Sequence, residues 1–500
     1  MSVNLRRPIL VGGVGLSISL WVLQSLHHSV GQLGEVGIFG VMALGAGLLL
    51  FQQKASNTID LSSVSSPLDR AKVEKAIAQT ETLINQLEAE TNNQDAANLL
   101  RQRVAQLTTE LDRQEIQLAV TGGKGVGKTA LTQVLESNWL PQQQQQQRLS
   151  LKETPALFVG ADTNVEAEIV AKDVALASDL VLFVTAGDLT ETEFQTLQQL
   201  KAANQRVMLV FNKQDQYLPT ERATVLQQLR QRMTERLGAE DVVAIASNPA
   251  PVKVRKHQPD GEVQEWMEQQ TPDLSLLSER LSQIIAQEGQ QLVWATTVRA
   301  AAALKAEVKT QLNQVRRDRA LPVIEQYQWI AAAAAFANPV PALDLLATAA
   351  ISAQVVTDLG EIYQQKFSLQ QAQAAAKTLG SLMLKLGLVE LSTQAIGGIL
   401  KGNAFTYVAG GAVQGVSAAY LTRLAGLSLI EYFQEQEASE NSATGQLFNL
   451  DRLGQTLQKV FQQNQRTAFL QGFVKQVVGH LVPASSPSEL KGSETTATAV

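Results

Sequence analysis

A glycine-rich segment in the first third of the chain constrains its fold more than any other feature. The segment fits the pattern G-x-x-x-x-G-K-S/T, follows the apolar run Ile116–Thr121 and precedes the helical pattern Ala130–Glu136. A strand before the glycines and a helix after them are the context in which this pattern binds phosphate. Glycines let backbone N–H groups point inward around an anion, and the helix N-terminus adds the positive end of its dipole. The candidate binding residues are Gly122, Gly123, Lys124, Gly125, Val126, Gly127, Lys128 and Thr129.

Two side chains of this loop carry chemistry. Lys128 is predicted to reach the β- and γ-phosphates of a nucleotide and to act in catalysis, and the Thr129 hydroxyl is predicted to bind Mg²⁺. The alternative interpretation is a chance glycine-rich turn, and the flanking strand and helix patterns argue against it.

Apolar runs separated by helical patterns surround the loop. Such alternation predicts an α/β fold with a mostly parallel sheet and helices on both faces, and the glycine-rich loop within it indicates a P-loop NTPase. The apolar runs are Ile116–Thr121, Leu149–Lys152, Leu180–Thr185, Val207–Phe211 and Val242–Ala246.

A second motif, Asn212-Lys213-Gln214-Asp215, follows one of these runs, 84 residues after Lys128. The Asp215 carboxylate would accept hydrogen bonds from the N1–H and 2-amino group of guanine. Adenine lacks both donors, and pairing of this kind discriminates by about 10⁴–10⁵. Asn212 would brace the loop, and the Lys213 stem would cover the ring. The backbone of Ala246-Ser247-Asn248 would support the base from the other side, which makes Ser247 and Asn248 binding candidates.

These motifs together resemble the Era-like family of translation-factor-class GTPases over roughly residues 116–250. The resemblance implies GTP and GDP as ligands, Mg²⁺ as cofactor and hydrolysis of GTP to GDP and phosphate. A second resemblance covers roughly residues 325–435. There Asn338-Pro339-Val340-Pro341-Ala342-Leu343-Asp344 and the Ala/Gly-rich helices that follow look like the YcjF-type domain of unknown function, whose members are usually membrane-associated.

The chain departs from the first family where that family places D-x-x-G. The best candidate is the segment Glu153–Leu157, with Glu153 as the magnesium-side carboxylate and Ala156 in place of the sensing glycine. Asp162 is the rival carboxylate. Glu153 is preferred because it lies 26 residues before Asp179, a spacing that suits the family. We predict that Glu153 and Ala156 contribute to catalysis and that Glu153 helps to hold the metal.

Two further family elements are missing. No threonine lies between Thr132 and Thr154 to serve as the switch threonine, and Leu157 stands where some relatives carry a water-positioning glutamine. The sequence therefore predicts a slow GTPase that acts as a nucleotide-dependent switch. Two alternatives stay open: a GTP-binding module without effective hydrolysis, and a dynamin-like membrane-remodelling GTPase.

The N-terminus contains two apolar stretches. Pro8–Leu26 has 19 residues without a charge, Val36–Phe51 has 16 more, and nine residues separate them. About 20 apolar residues span a bilayer, so the pair predicts a transmembrane hairpin. Arg6 and Arg7 before it and Lys54 after it predict that both ends, and the G domain, are cytoplasmic. A cleaved export signal and a re-entrant hairpin are the alternatives. Whether the C-terminal helices insert in lipid is left open.

Charge and composition limit the other partners. A net charge of −6 without a long basic run argues against nucleic acid as a partner. The absence of cysteine excludes disulfides and thiolate chemistry. The expected partners are a guanine nucleotide and membrane lipid, and the sequence leaves open a second copy of the chain or an effector protein.

The predicted organisation has six parts. They are a transmembrane hairpin (1–55), a helical linker (56–114), the GTP-binding G domain (115–250), a hairpin insert with a long helix (251–325), a helical YcjF-like domain (326–482) and a disordered tail (483–500).

Overall fold

A computed structural model describes residues 68–481 apart from a few short gaps. The gaps are 92–93, 144–146, 159–164, 258–262, 338–340, 402–409, 439–448 and 465–466. The predicted transmembrane hairpin, the C-terminal tail and Asp162 lie outside the described residues. The chain divides into two compact units: one runs to Val308 without Gln86–Asn93, and the other contains Gln86–Asn93 and the chain from Lys309 onwards.

The first unit is built on a five-stranded sheet in which every pairing is parallel. The strand order is β2-β1-β3-β4-β5. This confirms the predicted mixed α/β fold with a parallel sheet. The strands are β1 (Ile116–Gly122), β2 (Leu149–Glu153), β3 (Leu180–Thr185), β4 (Arg206–Phe211) and β5 (Val242–Ala244). The last strand is two residues shorter than predicted, because Ala246 instead exchanges backbone hydrogen bonds with Asp273.

Helices cover both faces of the sheet because the two faces of its central strands are both apolar. The phosphate-loop helix and the first turns of the long helix α7 pack on one face, and α4, α5 and α6 pack on the other. The helices are α3 (Lys128–Val134), α4 (Val165–Ala177), α5 (Glu191–Ala202), α6 (Pro219–Met233) and α7 (Ser275–Ala337). A π-helical turn, Leu135–Trp139, and a short helix, Leu140–Gln143, follow α3.

Two smaller elements complete the first unit. Within the predicted helical linker lie α1 (Arg70–Glu90), whose last residues belong to the second unit, and α2 (Gln94–Leu111). An antiparallel hairpin of β6 (Val252–His257) and β7 (Val263–Glu268) precedes α7. Residues 258–262, between these two strands, lie outside the described residues.

The second unit is entirely helical among its described residues. Besides the end of α7 it contains α8 (Pro341–Ile362), α9 (Leu369–Lys385), α10 (Leu388–Lys401), α11 (Gly410–Ala438), α12 (Leu450–Asn464) and α13 (Thr467–Leu481). The predicted part that contains the long helix ends at residue 325, but α7 continues through Pro322 to Ala337. Ala320 and Ile324 on either side of the proline are buried, so packing compensates for the hydrogen bond that proline cannot donate.

No single helix within the described ranges is long and apolar enough to cross a bilayer. Taken together, α9 and α10 are long and apolar enough to do so, but the two helices are bent by 66° at their junction.

Candidate functional site

The glycine-rich loop connects the end of β1 to the start of α3, as predicted. Gly122 has φ 149° and Gly127, the residue before the helix, has φ 94°. A Cβ on Gly122 would lie 2.3 Å from the Val184 carbonyl oxygen of β3. Glycine is therefore required at the start of the loop by the close approach of the next strand as well as by its backbone angles.

Asn212 joins the loop to the two segments predicted to bind the base. Its buried side-chain amide donates to the carbonyl oxygen of Val126 and to the Ser247 hydroxyl, both at 2.9 Å. Its carbonyl oxygen accepts the backbone N–H of Ser247 at 3.0 Å. A Cβ on Gly127 would lie 2.3 Å from the Asn212 amide nitrogen. Three segments that are distant in sequence therefore converge on one side chain.

The residues after Asn212 form a tight turn at the edge of the same cleft. Lys213 adopts a left-handed conformation with φ 63°. The Asp215 side chain is exposed, and its carboxylate accepts the backbone N–H of Ala250 at 3.1 Å. Gln216 lines the cleft and was missed by sequence reasoning. Its position directly after Asp215 was the only signal that could have indicated it.

Lys128 points back onto the loop from the start of α3. Its ammonium group donates to the carbonyl oxygens of Gly122 and Gly123 at 3.2 and 3.0 Å. Burial lowers the pKa of this lysine, and the negative charge of Glu153 partly opposes that shift. A buried cation at the start of a helix, where the positive end of the helix dipole lies, gives the loop a positive potential that suits an anion such as a polyphosphate.

Thr129 and Glu153 meet at one side of the cleft. The Thr129 hydroxyl donates to the Glu153 carboxylate at 2.8 Å. Glu153 ends β2, the strand beside β1, so the parallel register brings it to the same edge of the sheet as the loop. These are the two side chains that the sequence predicted as metal-side partners.

The segment after Glu153 is tied to β1 by its backbone. The N–H of Thr154 donates to Val120, and that of Leu157 donates to Gly122. Ala156 is not among the described non-glycine residues with positive φ, whereas Phe158 has φ 62°. The left-handed residue of this segment is therefore two positions after the alanine that replaces the family glycine.

Glu193 is a second residue that sequence reasoning missed. This buried carboxylate caps the start of α5 by accepting from the backbone and hydroxyl of Thr190. Its other oxygen lies 3.9 Å from the position that a Cβ on Gly123 would take. Its spacing from Thr190 is a capping-box signal, which predicts the cap but not the proximity to the loop.

The cleft has a volume of about 390 Å³. It brings together most of the predicted binding residues; Gly122, Gly123, Lys124, Val126, Ala156 and Asp215 do not line it. The lining residues are Gly125, Gly127, Lys128, Thr129, Ala130, Glu153, Asn212, Lys213, Gln216, Ser247 and Asn248.

Comparison with known families assigns part of the second unit. Residues 299–466, about a third of the chain, match the family described as "Domain of unknown function (DUF697)". This match bears out the predicted domain of unknown function in the C-terminal half and begins earlier than the predicted boundary. The Era-like resemblance of the nucleotide unit stays a prediction. No curated protein matches the chain.

Three solved structures show a distant likeness. One is described as "LeoA bacterial dynamin GTPase from ETEC"; it is 10% identical, with a TM-score of 0.23, and the match covers 82% of this chain and 98% of that one. Two more are described as an oligomerised bacterial dynamin pair that provides a mechanism for long-range sensing and tethering of membranes. The first is 13% identical with a TM-score of 0.24, and the match covers 84% of this chain and 85% of that one. The second is 12% identical with a TM-score of 0.25, and the match covers 90% of this chain and 86% of that one. At these TM-scores the likeness supports no argument about this chain.

Proposed function

We propose that this chain is a membrane-attached guanine-nucleotide-binding protein that hydrolyses GTP slowly. The observation that carries the proposal is the position of Asn212. Its amide links the glycine-rich loop at Val126 to the segment at Ser247. One cleft could therefore bind the phosphates of a nucleotide at the loop and its base at the Ser247 segment.

The phosphate end of the cleft has the groups that a nucleotide needs. Loop N–H groups and Lys128 would hold the β- and γ-phosphates. Mg²⁺ fits the donor set at Thr129, with Glu153 as the carboxylate that orders a metal-bound water. The described residues contain no cluster of three His, Asp or Glu side chains, so a metal here would take its remaining ligands from phosphate oxygens and water.

Hydrolysis in such a site is mostly positioning and neutralisation of charge. Water attacks the γ-phosphorus, the bond to the bridging oxygen breaks, and GDP leaves with that oxygen. Lys128 and the loop amides would stabilise the charge that develops there. Ala156 and Leu157 lack groups that orient water, which favours a slow rate and supports a second candidate function, nucleotide binding without effective hydrolysis.

The base-specificity test uses Asp215. We expect the protein to bind GDP or GTP at least about a hundredfold more tightly than ATP, since carboxylate pairing discriminates by up to about 10⁴–10⁵. Asp215→Asn should shift the preference toward xanthosine nucleotides, because the amide can donate to the additional carbonyl of xanthine. The measurement is competition of fluorescent GDP by each nucleotide.

Asp188→Asn is the matched control for this substitution, because Asp188 is a half-exposed aspartate of the same unit that lies outside the two segments predicted to bind the base. It should leave the base preference unchanged. Equal affinities of the unmodified protein for ATP and GTP would contradict the assignment of the base site.

A further inference from the structure

The junction between α9 and α10 forms an apolar corner in the second unit. Gly387, with φ 66°, separates the two helices, and its carbonyl oxygen accepts the backbone N–H of Leu391 at 3.0 Å. The backbone N–H of Gly387 donates to Leu384. These short connections hold the last turn of α9 and the first turn of α10 together at 66°.

Three leucine side chains are exposed at this corner. Leu384, Leu386 and Leu391 are 67%, 38% and 51% exposed, whereas the neighbouring Met383 and Leu388 are buried. A Cβ added to Gly380 or Gly387 would meet nothing within 4 Å, so this side of the corner is open. The corner therefore has a packed side formed by Met383 and Leu388 and an uncovered apolar side.

The charge around the corner has the opposite sign to that of the chain. From Leu369 to Lys401 there are three lysines and one glutamate, a net charge of +2, while the whole chain has a net charge of −6. Lys377 and Lys385 are exposed on α9, the latter between two of the leucines. Leu384 and Leu386 flank Lys385, whereas Leu391 follows the exposed Glu390. Exposed leucines with a net positive charge around them fit the boundary between acyl chains and anionic headgroups, where each lysine near the surface adds to the attraction.

We propose that Leu384, Leu386 and Leu391 are a lipid-binding corner that enters one leaflet of an anionic membrane, with Lys377 and Lys385 at the headgroups. A second copy of the chain fits less well. Three leucine side chains supply on the order of a few hundred Å², well below the roughly 1,200 Å² that a stable protein interface buries. This contact is separate from the N-terminal hairpin proposed as the anchor.

The absence of cysteine permits a direct test in the full chain. Single cysteines replace Leu384 or Leu391, carry an environment-sensitive fluorophore and are reconstituted into vesicles of phosphatidylcholine with phosphatidylglycerol. Nitroxide-labelled lipids then quench any fluorophore that lies among the acyl chains. We expect strong quenching at both positions and at least about fivefold weaker quenching after Lys377→Glu with Lys385→Glu, because two attractions become repulsions.

The matched control is Leu369→Cys. Leu369 is 63% exposed, close to the 67% of Leu384, and lies on the same helix about 22 Å away at 1.5 Å per residue. It should be quenched little, as should Leu218→Cys in the first unit, where the leucine is 64% exposed. Binding of fluorescent GDP checks that each labelled protein is folded in its first unit, and circular dichroism checks the helical second unit.

Three other outcomes would each contradict the proposal. Quenching at positions 384 and 391 no stronger than at 369 would exclude lipid contact at the corner, even when the chain is anchored elsewhere. A fluorescence change that grows with protein concentration but not with nitroxide lipid would identify a second copy as the partner. A chain that does not float with vesicles at all would overturn this proposal and the membrane attachment proposed above.

Discussion

At Gly127 the glycine-rich loop lies close to the side chain of Asn212, which is hydrogen-bonded to Ser247. We predict that Gly127→Ala lowers the affinity for GDP by at least about tenfold. The new Cβ would lie 2.3 Å from the Asn212 amide, so a buried side chain with three hydrogen bonds must move. Losing buried hydrogen bonds costs about 1–3 kcal/mol, in addition to the backbone strain at φ 94°. Calorimetric titration with GDP measures the effect.

Gly125→Ala is the control, because Gly125 has φ 75° but a Cβ there would meet nothing within 4 Å. It carries similar backbone strain, about 1–2 kcal/mol, without the collision. Equal losses of GDP affinity in the two variants would mean that the Asn212 contact is unimportant.

The hydrolysis rate is the second prediction at this scale. Switch proteins with a more complete set of groups turn over at about 10⁻⁴–10⁻³ per second without a partner, and we expect a comparable or lower rate here. Lys128→Ala should abolish turnover and weaken binding, because the ammonium compensates phosphate charge. Ala156→Gly should raise the rate or the preference for GTP over GDP if Glu153–Ala156 senses the γ-phosphate. Single-turnover release of phosphate measures both.

A partner-free rate above about one per second, the range of assisted hydrolysis, would contradict the slow-switch interpretation. It would direct attention to Asp162 as the magnesium-side carboxylate.

The helical elements of the second unit are joined by a buried ion pair. Arg316 of α7 donates to Glu90, at the end of α1, at 2.8 Å, and the two side chains are 2% and 9% exposed. Arg319, 45% exposed, reaches the other oxygen of the same carboxylate at 3.2 Å. We predict that Arg316→Ala lowers the free energy of unfolding by about 3 kcal/mol, the lower end for a broken buried pair, because Arg319 still contacts Glu90.

Arg319→Ala is the matched control and should cost less than about 1 kcal/mol, since an exposed partner gains little over water. Urea unfolding followed by circular dichroism compares the two variants. A cost for Arg319→Ala as large as that for Arg316→Ala would show that burial does not determine the strength of this pair.

At the scale of the whole molecule, the prediction concerns attachment. Residues 8–51 should hold the chain in membranes through carbonate washing, with Met1 and the nucleotide-binding unit on the cytoplasmic side. Deletion of residues 1–55 should release most of the protein, because about 20 apolar residues per span supply far more burial than three leucines. Vesicle fractionation and protease protection of a tag at residue 60 test this. A truncated chain that stays fully membrane-bound would make the α9–α10 corner the main anchor.

Local signals in the sequence determined the elements of this protein. The apolar runs predicted the five strands within two residues at each end, and the glycine pattern predicted the loop between β1 and α3. These features depend on neighbours in sequence, because side-chain periodicity and glycine backbone angles act within a few residues. The end of α7 was predicted too early, because it depends on tertiary packing rather than on neighbours in sequence. The burial of Ala320 and Ile324 outweighs the local tendency of Pro322 to end a helix.

Only the tertiary structure decided which distant side chains meet. Asn212 contacts Val126, 86 residues away, and Arg316 contacts Glu90, 226 residues away. Gln216 at the cleft and Glu193 near Gly123 likewise follow from how strands and helices pack. Periodicity states which face of an element is apolar, but strand order and register determine what lies opposite that face. The motifs therefore indicated the chemistry predicted for the cleft, while the parallel register of all five strands brought its residues together.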